Sequence, residues 1–530
     1  MPKSEFRTVK TQKLPSSEFL LFPFLKSWYR HPLAGPVLAA AYAVVMLHIG
    51  LTYHVVGDYN VETDFFQAYV PTAKDFLKGV WTIEDFRGPG YPALLAAAGL
   101  FVRDFFTAGI VLSTLAAAVT LYFTFETVRR LFRADLAFAV VLLTAVNRTF
   151  VQYSYTAGTD MVFNAFTAGI IFFLLRKETL SWPDLALSAL FGAAAYLTRS
   201  NGIVFLAAVP FIMAVVNVYN LPVKQRLVAS GVWAGLFLLF ITPWGMHTLA
   251  EKGSFFFSRN HLNIAYEMFG KGKVGWDEFW NVESVRYTSL LQVVMTDPGL
   301  FVSTVFSNLY GHFLSDMELL MNWFAGIGVL AAVISMVKRR PDRRQGAFFL
   351  FGASLFLVLL IVFYGERFSM YLIPMYGVLA LGTLVWDRWR GIPYYSATLL
   401  AAALIGYTAY GSVEYNRQHI DSGPREIKAI ADWFNQNVKD ADPSKVVVCR
   451  KPHIAFYIDK TMKYFPYVDT WPALEAETKR LGADYLFYGI YEANMRPQFR
   501  QLLDPSAAPP WLEPVTYTVN PPSVLYRVKH

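Results

Sequence analysis

The sequence predicts a polytopic α-helical membrane protein of about eleven spans, followed by a small extracytoplasmic α/β domain. Three observations lead to this fold class. Of the 530 residues, 55% are hydrophobic and only 16% are charged, whereas about 25% of the residues of soluble domains are charged. Several apolar runs reach the roughly 20 residues that a bilayer span needs. After about residue 413 the pattern changes to short helix-like and strand-like stretches at 426–438, 445–449, 473–481 and 483–488.

The distribution of charge excludes a nucleic-acid-binding protein. The net charge is +8, but the basic residues form short clusters between apolar runs instead of one basic face or tail. Cys449 is the single cysteine, so an intramolecular disulfide and a CxxC metal site are both excluded. The first apolar run is too long for a cleavable signal peptide and lacks a small-residue cleavage site. Residues 1–32 are therefore predicted to be a basic cytoplasmic tail.

Basic clusters give the topology of the apolar runs. The predicted spans are 33–53, 106–127, 134–151, 160–175, 184–198, 201–219, 227–249, 316–337, 345–364, 367–386 and 393–412. With the N-terminus inside, every second connection is cytoplasmic, and all of these are basic, as the positive-inside rule requires. They contain Arg129/Arg130/Arg133, Arg176/Lys177, Lys224/Arg226, Lys338/Arg339/Arg340/Arg343/Arg344 and Arg388/Arg390. The transmembrane domain is thus predicted over 33–412, with outer loops at 54–105 and 250–315 and the outer domain at 413–530.

The first outer loop has the strongest local pattern. Phe65 and Phe66 begin a series of apolar residues at helical spacing, and Thr63 is in position to cap this helix. Pro71 predicts either a kink within the helix or a split into two helices. Such a helix is expected to lie in the headgroup layer with its phenylalanine face toward lipid. Asp64 would then be an acid at the boundary between water and lipid. Spacing alone does not distinguish it from an acid that only caps a surface helix.

Asp64 begins a longer pattern that includes Tyr69, Ala73 and Gly79 and continues into Arg87-Gly88-Pro89-Gly90-Tyr91-Pro92. This pattern resembles the first extracytoplasmic loop of GT-C glycosyltransferases, and above all their family 39 relatives. Those relatives include protein O-mannosyltransferases and the aminoarabinose transferase of lipid A. An Asp near the start of this loop helix is their catalytic acid/base group, which implies that role for Asp64. Some members have two adjacent acids there, whereas here Phe65 follows Asp64, and Glu62 is the nearest other acid.

Three later motifs resemble the same family and follow in the same order. They are Gly158-Thr159-Asp160, Leu197-Thr198-Arg199-Ser200-Asn201-Gly202 and Glu366-Arg367-Phe368. The first resembles a second family acid, the next an arginine-containing turn between short spans, and the last an element that opens a late span. The resemblance covers nearly the whole membrane part and, loosely, the outer domain. It implies a GT-C-like fold.

The resemblance also implies the reaction, which is transfer of a sugar from a polyprenyl-phosphate donor to a hydroxyl acceptor. Such an enzyme must hold the phosphate and deprotonate the hydroxyl; arginine suits the first task and a carboxylate the second. We predict Asp64 as the general base and Asp160 as a group that orients the acceptor or shares the proton. The predicted substrate-binding residues are Arg87, Tyr91, Arg199, Asn201, Arg259, His261 and Arg367. An arginine at this boundary can equally pair with a lipid headgroup or an acid.

Several further expectations complete this hypothesis. The partners are the lipid-linked donor, a glycan, lipid or protein acceptor, and membrane lipid, with no nucleic acid. No cofactor is predicted, since nucleotide-binding motifs are absent from the sequence, and a divalent metal is permitted without being demanded. The expected location is the inner (plasma) membrane, with the active site and outer domain on the periplasmic side. His312, Asp316 and Glu318 form a second candidate polar cluster, and Asp277 is expected to be a solvated loop acid.

Three other classes of protein remain open from the sequence. One is a transporter or flippase of lipid-linked glycans, although no inverted repeat is apparent. Another is a polymerase or ligase of lipid-linked glycans, which the sequence separates poorly from a monosaccharide transferase. The last is an assembly subunit whose outer domain binds a partner.

Overall fold

The computed structural model describes residues 22–338, 341–385 and 394–530. Most of the predicted cytoplasmic tail, together with Arg339, Arg340, Arg388 and Arg390, lies outside the described residues. The chain forms a helical bundle followed by an α/β domain. The main helices of the bundle are Ala34–Thr52, Phe105–Leu131, Ala134–Ala145, Arg148–Tyr155, Thr159–Leu175, Trp182–Thr198, Val204–Val216, Val223–Lys252, Trp323–Lys338, Arg343–Leu359, Ile373–Gly382 and Tyr394–Asp421.

The helices coincide with the predicted spans, but many are short. Among the described residues, four helices are long and apolar enough to cross a membrane: Ala34–Thr52, Phe105–Leu131, Val223–Lys252 and Tyr395–Asn437. Two bent pairs would raise this number to six, Ala134–Ala145 with Arg148–Tyr155 (65°) and Leu290–Thr296 with Pro298–Leu320 (98°). Helices over other predicted spans, such as Thr159–Leu175, have fewer than 18 residues. The number of about eleven spans is not confirmed and stays a prediction.

The predicted cytoplasmic connections meet at one end of the bundle. Arg344 donates to the carbonyl of Leu175 and, at 3.4 Å, to Glu178. Arg343 donates to Asn220 at 2.8 Å. These contacts join three connections that are far apart in sequence. These three connections therefore share one end, as the predicted topology requires.

The first outer loop is helical from an earlier residue than predicted. The helix begins at Val61 with Asn60, and not Thr63, at its N-cap position. Just before it, Asp58 Oδ1 accepts from the backbone N–H groups of Asn60 (2.6 Å) and Val61 (2.8 Å). Thr63 instead donates to the carbonyl of Tyr59 (2.7 Å). We call residues 61–77 the Asp64 helix.

Pro71 does not split the Asp64 helix. The helix runs over Val61–Asp64, widens to π-helix over Phe65–Tyr69 and continues over Val70–Leu77. A proline has no N–H and its ring collides with the carbonyl four residues earlier in an α-helix. The wider π turn just before Pro71 accommodates that ring. A short helix, Gly90–Gly99, then ends the loop.

The phenylalanine face of the Asp64 helix faces protein. Phe65 and Phe66 are 0% and 3% exposed, and the ring of Phe66 packs against His453 and Phe456 of the outer domain at 4.8 and 4.5 Å between centroids. The predicted orientation of this face toward lipid is therefore wrong. An amphipathic pattern shows only that one face is buried, and here the outer domain covers it.

The second outer loop also contains helices. They are His261–Ala265, Trp276–Glu278, Leu290–Thr296 and Pro298–Ser315, with π-helical segments Tyr266–Gly270, Phe279–Glu283 and Asp316–Leu320. Asp277 is buried and pairs at 2.7 Å with both Arg450 and Arg496 of the outer domain. The expectation of a solvated acid is therefore wrong, and this carboxylate fixes the loop to the outer domain.

The outer domain is a five-stranded mixed sheet with helices on it. The last bundle helix continues past the predicted boundary to Asp421. The strands are β1 (Val446–Cys449), β2 (Thr461–Tyr464), β3 (Ala483–Gly489), β4 (Leu512–Val519) and β5 (Pro522–Val528). Their order is β2-β1-β3-β5-β4, with β2, β1 and β3 parallel and β5 and β4 antiparallel. The helices are Arg425–Asn437, His453–Tyr457, Trp471–Arg480 and Ile490–Met495. All four predicted elements of this domain are present.

Candidate functional site

Two glycines bring the distant motifs of the site together. A Cβ on Gly88 would lie 2.1 Å from the carbonyl oxygen of Leu197, and one on Gly90 would lie 2.9 Å from the carbonyl carbon of the same residue. No side chain fits at these distances, so glycine lets the two backbones touch. The contact places Arg87, beside Gly88, near Arg199, which follows Leu197 by two residues.

The first acid–arginine pair joins Asp64 to Arg87. Arg87 Nη2 donates to Asp64 Oδ1, and its Nη1 lies 3.9 Å from Glu84. The Asp64 carboxylate is 42% exposed, whereas the arginine is 18% exposed. The predicted base is thus held in one orientation and still open to solvent on one side.

The second acid–arginine pair joins Asp160 to Arg199. Asp160 lies in the first turn of Thr159–Leu175, where backbone N–H groups favour a carboxylate. Arg199 Nη1 donates to Asp160 Oδ1 and lies 3.4 Å from Thr159 Oγ1. The Asp160 side chain is only 5% exposed. This acid is therefore much less accessible than Asp64.

Tyr69 lies between the two pairs. Arg87 is over its ring at 5.8 Å, and the charges of Asp64 and Arg199 both act on its phenol. Tyr91, predicted to bind substrate, is fully buried behind it, with 5.1 Å between the ring centroids. Tyr91 therefore supports Tyr69 from the protein side.

A small pocket is lined by four of the predicted site residues. Its lining is Asp160, Phe163, Asn164, Arg199, Asn201, Arg367, Phe368, Met370 and Tyr371. Within the described part of the chain, Arg367 forms no hydrogen bond or ion pair, and Asn201 Oδ1 is buried without a partner. The neighbouring acid Glu366 is already held by Arg148 at 3.0 Å. Arg367 is thus the cation of this pocket that is available to an anionic ligand.

Arg259 and His261 do not line this pocket. The backbone N–H of Arg259 donates to the carbonyl of Asp85 (2.7 Å), and its guanidinium lies 3.3 Å from the Asp85 carboxylate. His261 Nε2 is 3.1 Å from the carbonyl of Tyr287. Arg259 joins the second outer loop to the first, and His261 holds the second loop together internally.

A buried polar network lies behind Asp64. Glu62 accepts from His54 Nε2 (2.9 Å) and from the backbone N–H groups of Asp58 and Ala157 (2.7 Å each). His419 lies 3.4 Å from Asp58. Burial opposes protonation of His54, but the hydrogen bond and charge of Glu62 raise its pKa above the usual value. Glu62 is fully buried, and its carboxylate is held by contacts within the protein.

The second candidate cluster forms only in part. Asp316 is fully buried and accepts from Tyr364 (3.1 Å) and Tyr376 (2.9 Å). The His312 ring packs against Tyr364 at 5.3 Å. Glu318, which was expected in this cluster, is exposed.

The outer domain adds residues that the sequence did not indicate. Lys451 Nζ donates to the carbonyl of Tyr59 and to Thr63 Oγ1 at the start of the Asp64 helix. Burial and the neighbouring Arg450 lower the pKa of Lys451 to about 8. These contacts join residues almost 400 positions apart, so no local pattern could have revealed them. Within the described residues, no group of three His, Cys, Asp or Glu side chains is arranged to hold a metal ion.

The chain thus combines a helical bundle, a first outer loop that carries a paired acid, and an outer α/β domain packed against that loop. The sequence model of the dolichyl-phosphate-mannose-protein mannosyltransferase family matches residues 87–247. No curated protein matches the chain by sequence.

Solved structures share the fold over almost the whole chain. ArnT from Cupriavidus metallidurans bound to undecaprenyl phosphate has a TM-score of 0.59 at 13% identity, and the match covers 94% of this chain and 98% of ArnT. The oligosaccharyltransferase AglB from Archaeoglobus fulgidus, in complex with an inhibitory peptide and a dolichol-phosphate, has a TM-score of 0.56 at 14% identity. That match covers 89% of this chain and 70% of AglB. The resemblance to GT-C glycosyltransferases is confirmed.

Proposed function

We propose that the protein is a glycosyltransferase that moves a sugar from a polyprenyl-phosphate donor to a hydroxyl acceptor. The observation that supports this proposal best is the arrangement of the two acid–arginine pairs, which lie on either side of Tyr69. The unpaired Arg367 lies next to them. Such a site offers a base and a phosphate ligand within one small region. The lipid phosphates bound in the ArnT and AglB structures support a donor of the same kind.

In this proposal, Asp64 is the general base. Its half-exposed carboxylate takes the proton of the acceptor hydroxyl as the oxygen attacks the anomeric carbon of the donor. The bond between that carbon and the phosphate oxygen breaks, and polyprenyl phosphate leaves as an anion. Arg367 binds the phosphate, since an arginine remains charged and binds two oxygens at once.

Asp160 has the orienting role. Its carboxylate is buried and held by Arg199, so it is poorly placed to exchange protons with an acceptor from solvent. It fixes Arg199 at the rim of the pocket, and Asn201 adds a polar group that faces the same space. Arg87 and Arg199 then serve first to position the acids, and they add positive charge beside the leaving phosphate.

The proposed location is the inner (plasma) membrane, with the active site and the outer domain on the periplasmic side. The positive-inside pattern of the sequence supports this orientation. The likeness to AglB keeps transfer of a whole oligosaccharide as a second candidate, since that enzyme class shares the fold.

The donor is the most direct test. Purified full-length protein in lipid nanodiscs would be given polyprenyl-phosphate monosaccharides, a polyprenyl-diphosphate oligosaccharide, or UDP- and GDP-sugars, and release of the lipid carrier or nucleotide would be measured. We expect turnover of a polyprenyl-phosphate monosaccharide only. Activity with a nucleotide sugar alone would contradict the proposal, and activity with the oligosaccharide alone would favour the second candidate.

Arg367→Gln tests the phosphate contact in the same assay. Hydrogen bonds to charged groups contribute about 1.5–3 kcal/mol, so the donor kcat/KM should fall roughly 10–100-fold. The matched control is Arg226→Gln, whose guanidinium binds a carbonyl of the bundle away from the site and should leave kcat/KM unchanged.

A further inference from the structure

Two tyrosines of the outer domain form an exposed pair of rings. Tyr464 ends strand β2 and Tyr467 follows three residues later, and each is 49% exposed. Between them, Phe465 is buried in the core of the domain at 5% exposure. The buried residue anchors this turn, so both rings project from a fixed backbone. We call Tyr464 and Tyr467 the tyrosine platform.

Each platform ring is supported by an arginine. Arg450 lies over the ring of Tyr464 at 5.7 Å, and Arg496 lies over the ring of Tyr467 at 4.6 Å. Both arginines bind the same carboxylate, Asp277 of the second outer loop, at 2.7 Å each. The two cation–π contacts and two buried ion pairs hold the rings in place before any ligand arrives.

The platform lies next to the proposed base. Gln67, one helical turn after Asp64 on the same helix, donates to the hydroxyl of Tyr464. Asp64 and Arg87 are close enough to Tyr464 for their charges to act on its phenol. A molecule stacked on the platform would therefore place its neighbouring groups within reach of the Asp64 carboxylate.

The chemistry of this surface favours a carbohydrate. A sugar ring has a face of C–H groups that stacks on an aromatic ring, and hydroxyl groups at its edge that bind phenol and guanidinium groups. Because Tyr464 and Tyr467 each present a fixed ring, the surface has two positions on which a sugar ring can stack. We propose that the tyrosine platform binds the acceptor and that the acceptor is a carbohydrate, either a free glycan or the sugar headgroup of a glycolipid. This inference rests on the proposed glycosyltransferase function.

Binding is tested without catalysis. Full-length protein in nanodiscs would be titrated with disaccharides of glucose, galactose, mannose, rhamnose, arabinose and N-acetylglucosamine, and with a Ser/Thr-containing peptide, by saturation-transfer NMR. Nanodiscs with a sugar-headed glycolipid in place of the free disaccharide distinguish the two sources. We expect at least one carbohydrate to bind, and Tyr464→Ala or Tyr467→Ala to weaken it about tenfold. Tyr517→Ala is the matched control, since this ring is 56% exposed on β4, at the opposite edge of the sheet.

A second variant tests the support of the rings. Asp277→Asn keeps the size of the side chain but removes the charge that holds both arginines, so carbohydrate binding should again weaken about tenfold while both tyrosines remain.

The outcomes separate this inference from the proposed function. Protein that turns over the lipid donor but binds no carbohydrate, or binds it equally well without the tyrosines, overturns the platform alone. Peptide binding that is lost in the tyrosine variants overturns the carbohydrate assignment. Carbohydrate binding that depends on the tyrosines, in protein that turns over no donor, supports the platform and contradicts the proposed function.

Discussion

Asp64 and Asp160 have the same chemical group and the same kind of partner, but their surroundings differ. Asp64 is 42% exposed and lies below the outer domain, whereas Asp160 is 5% exposed within the bundle. A general base must come within hydrogen-bond reach of the proton that it removes. Exposure therefore separates the two proposed roles, since Asp64 is open to an acceptor from solvent and Asp160 is buried against Arg199.

Asp64→Asn should abolish most of the transfer activity. The amide keeps the size of the side chain but cannot accept a proton, and general base catalysis contributes about 10²–10⁴-fold to a rate. The rate of sugar transfer to a saturating acceptor should fall by that order, while the KM of the lipid donor changes little.

Asp75→Asn is the control on the same helix. Asp75 accepts a hydrogen bond from Thr82 at 2.7 Å, away from both acid–arginine pairs. This variant should transfer at nearly the normal rate and match Asp64→Asn in thermal stability. Near-normal transfer by Asp64→Asn, or equal inactivity of the two variants, would mean that Asp64 is only a helix acid.

For single residues, the sequence indicated which side chains are candidates for the site better than it indicated which groups they contact. Asp160, Arg199, Asn201 and Arg367, which were candidates from three separate motifs, line one pocket. The pairing of each acid with an arginine was left open, because headgroups, phosphates and carboxylates all attract the same cation. Arg259, which was also a candidate, lies outside this pocket. Its position depends on how the second outer loop folds, and the sequence of this loop has no repeating pattern from which that fold could be predicted.

At the scale of elements, the site depends on one backbone contact. The Gly88-Pro89-Gly90 segment touches the backbone of Leu197, and this contact sets the spacing between Arg87 and Arg199. The contact explains why small residues occur in a motif whose charged neighbours are candidate site residues.

Gly88→Ala should separate the two motifs. The new methyl group would lie 2.1 Å from the Leu197 carbonyl oxygen, and neither backbone can move without the rest of its element. We expect a loss of about 1–3 kcal/mol or more in stability, together with a fall in transfer rate. Thermal unfolding in detergent and the transfer assay measure the two effects. Gly231→Ala, which has no atom within 4 Å of the added Cβ, should be neutral, and a neutral Gly88→Ala would disprove the contact.

The contact between the outer domain and the Asp64 helix should depend on pH through His453. Its Nε2 donates to the carbonyl of Asp58 at 2.8 Å, and burial lowers its pKa to about 4 from the usual 6.5. At pH values between about 4 and 6.5, the histidine binds more protons when the contact is open or the protein is unfolded than when it is docked. Stability of the contact is therefore complete above pH 6.5 and is lost as the pH falls toward 4, by up to about 3 kcal/mol.

Hydrogen exchange of the backbone of residues 453–464 at pH 7.5 and pH 5 measures this loss. Protection should decrease at pH 5 in the natural protein. His453→Gln keeps an N–H donor but does not titrate in this range, so its protection should not change between the two pH values. Equal pH dependence in both proteins would assign the effect to another group.

The predicted elements differ in accuracy for physical reasons. The helices of the bundle were recognisable because a long apolar run has few possible structures other than a membrane-spanning helix. Strands β2, β4 and β5 were missed; β2 and β4 are edge strands with almost no buried residues, so neither has the continuous buried run of a central strand. The Phe65 and Phe66 pattern correctly predicted a buried face, but no local signal distinguishes lipid from a domain that follows 390 residues later.

At the scale of the whole molecule, the two outer loops and the outer domain form one structure above the bundle. Asp277 ties the second loop to the outer domain, and His453 and Lys451 tie the outer domain to the first loop. The last bundle helix joins this structure through His419, which contacts Asp58. The proposed catalytic residues therefore lie among segments that come from both ends of the sequence.

This arrangement gives a test of the topology. Arg344 lies at the end of the bundle where the basic connections meet, and Arg417 lies two residues before His419, which contacts the first outer loop. The two positions are therefore at opposite ends of the bundle. Reporter fusions after Arg344 should report the cytoplasm and fusions after Arg417 the outer side, because the positive-inside rule keeps the basic connections inside. Alkaline phosphatase and green fluorescent protein, which are active on opposite sides, would give complementary signals at each position. If both fusions report one side, an odd number of spans has been missed between them, and Asp64 could not be assigned to the outer face together with the outer domain.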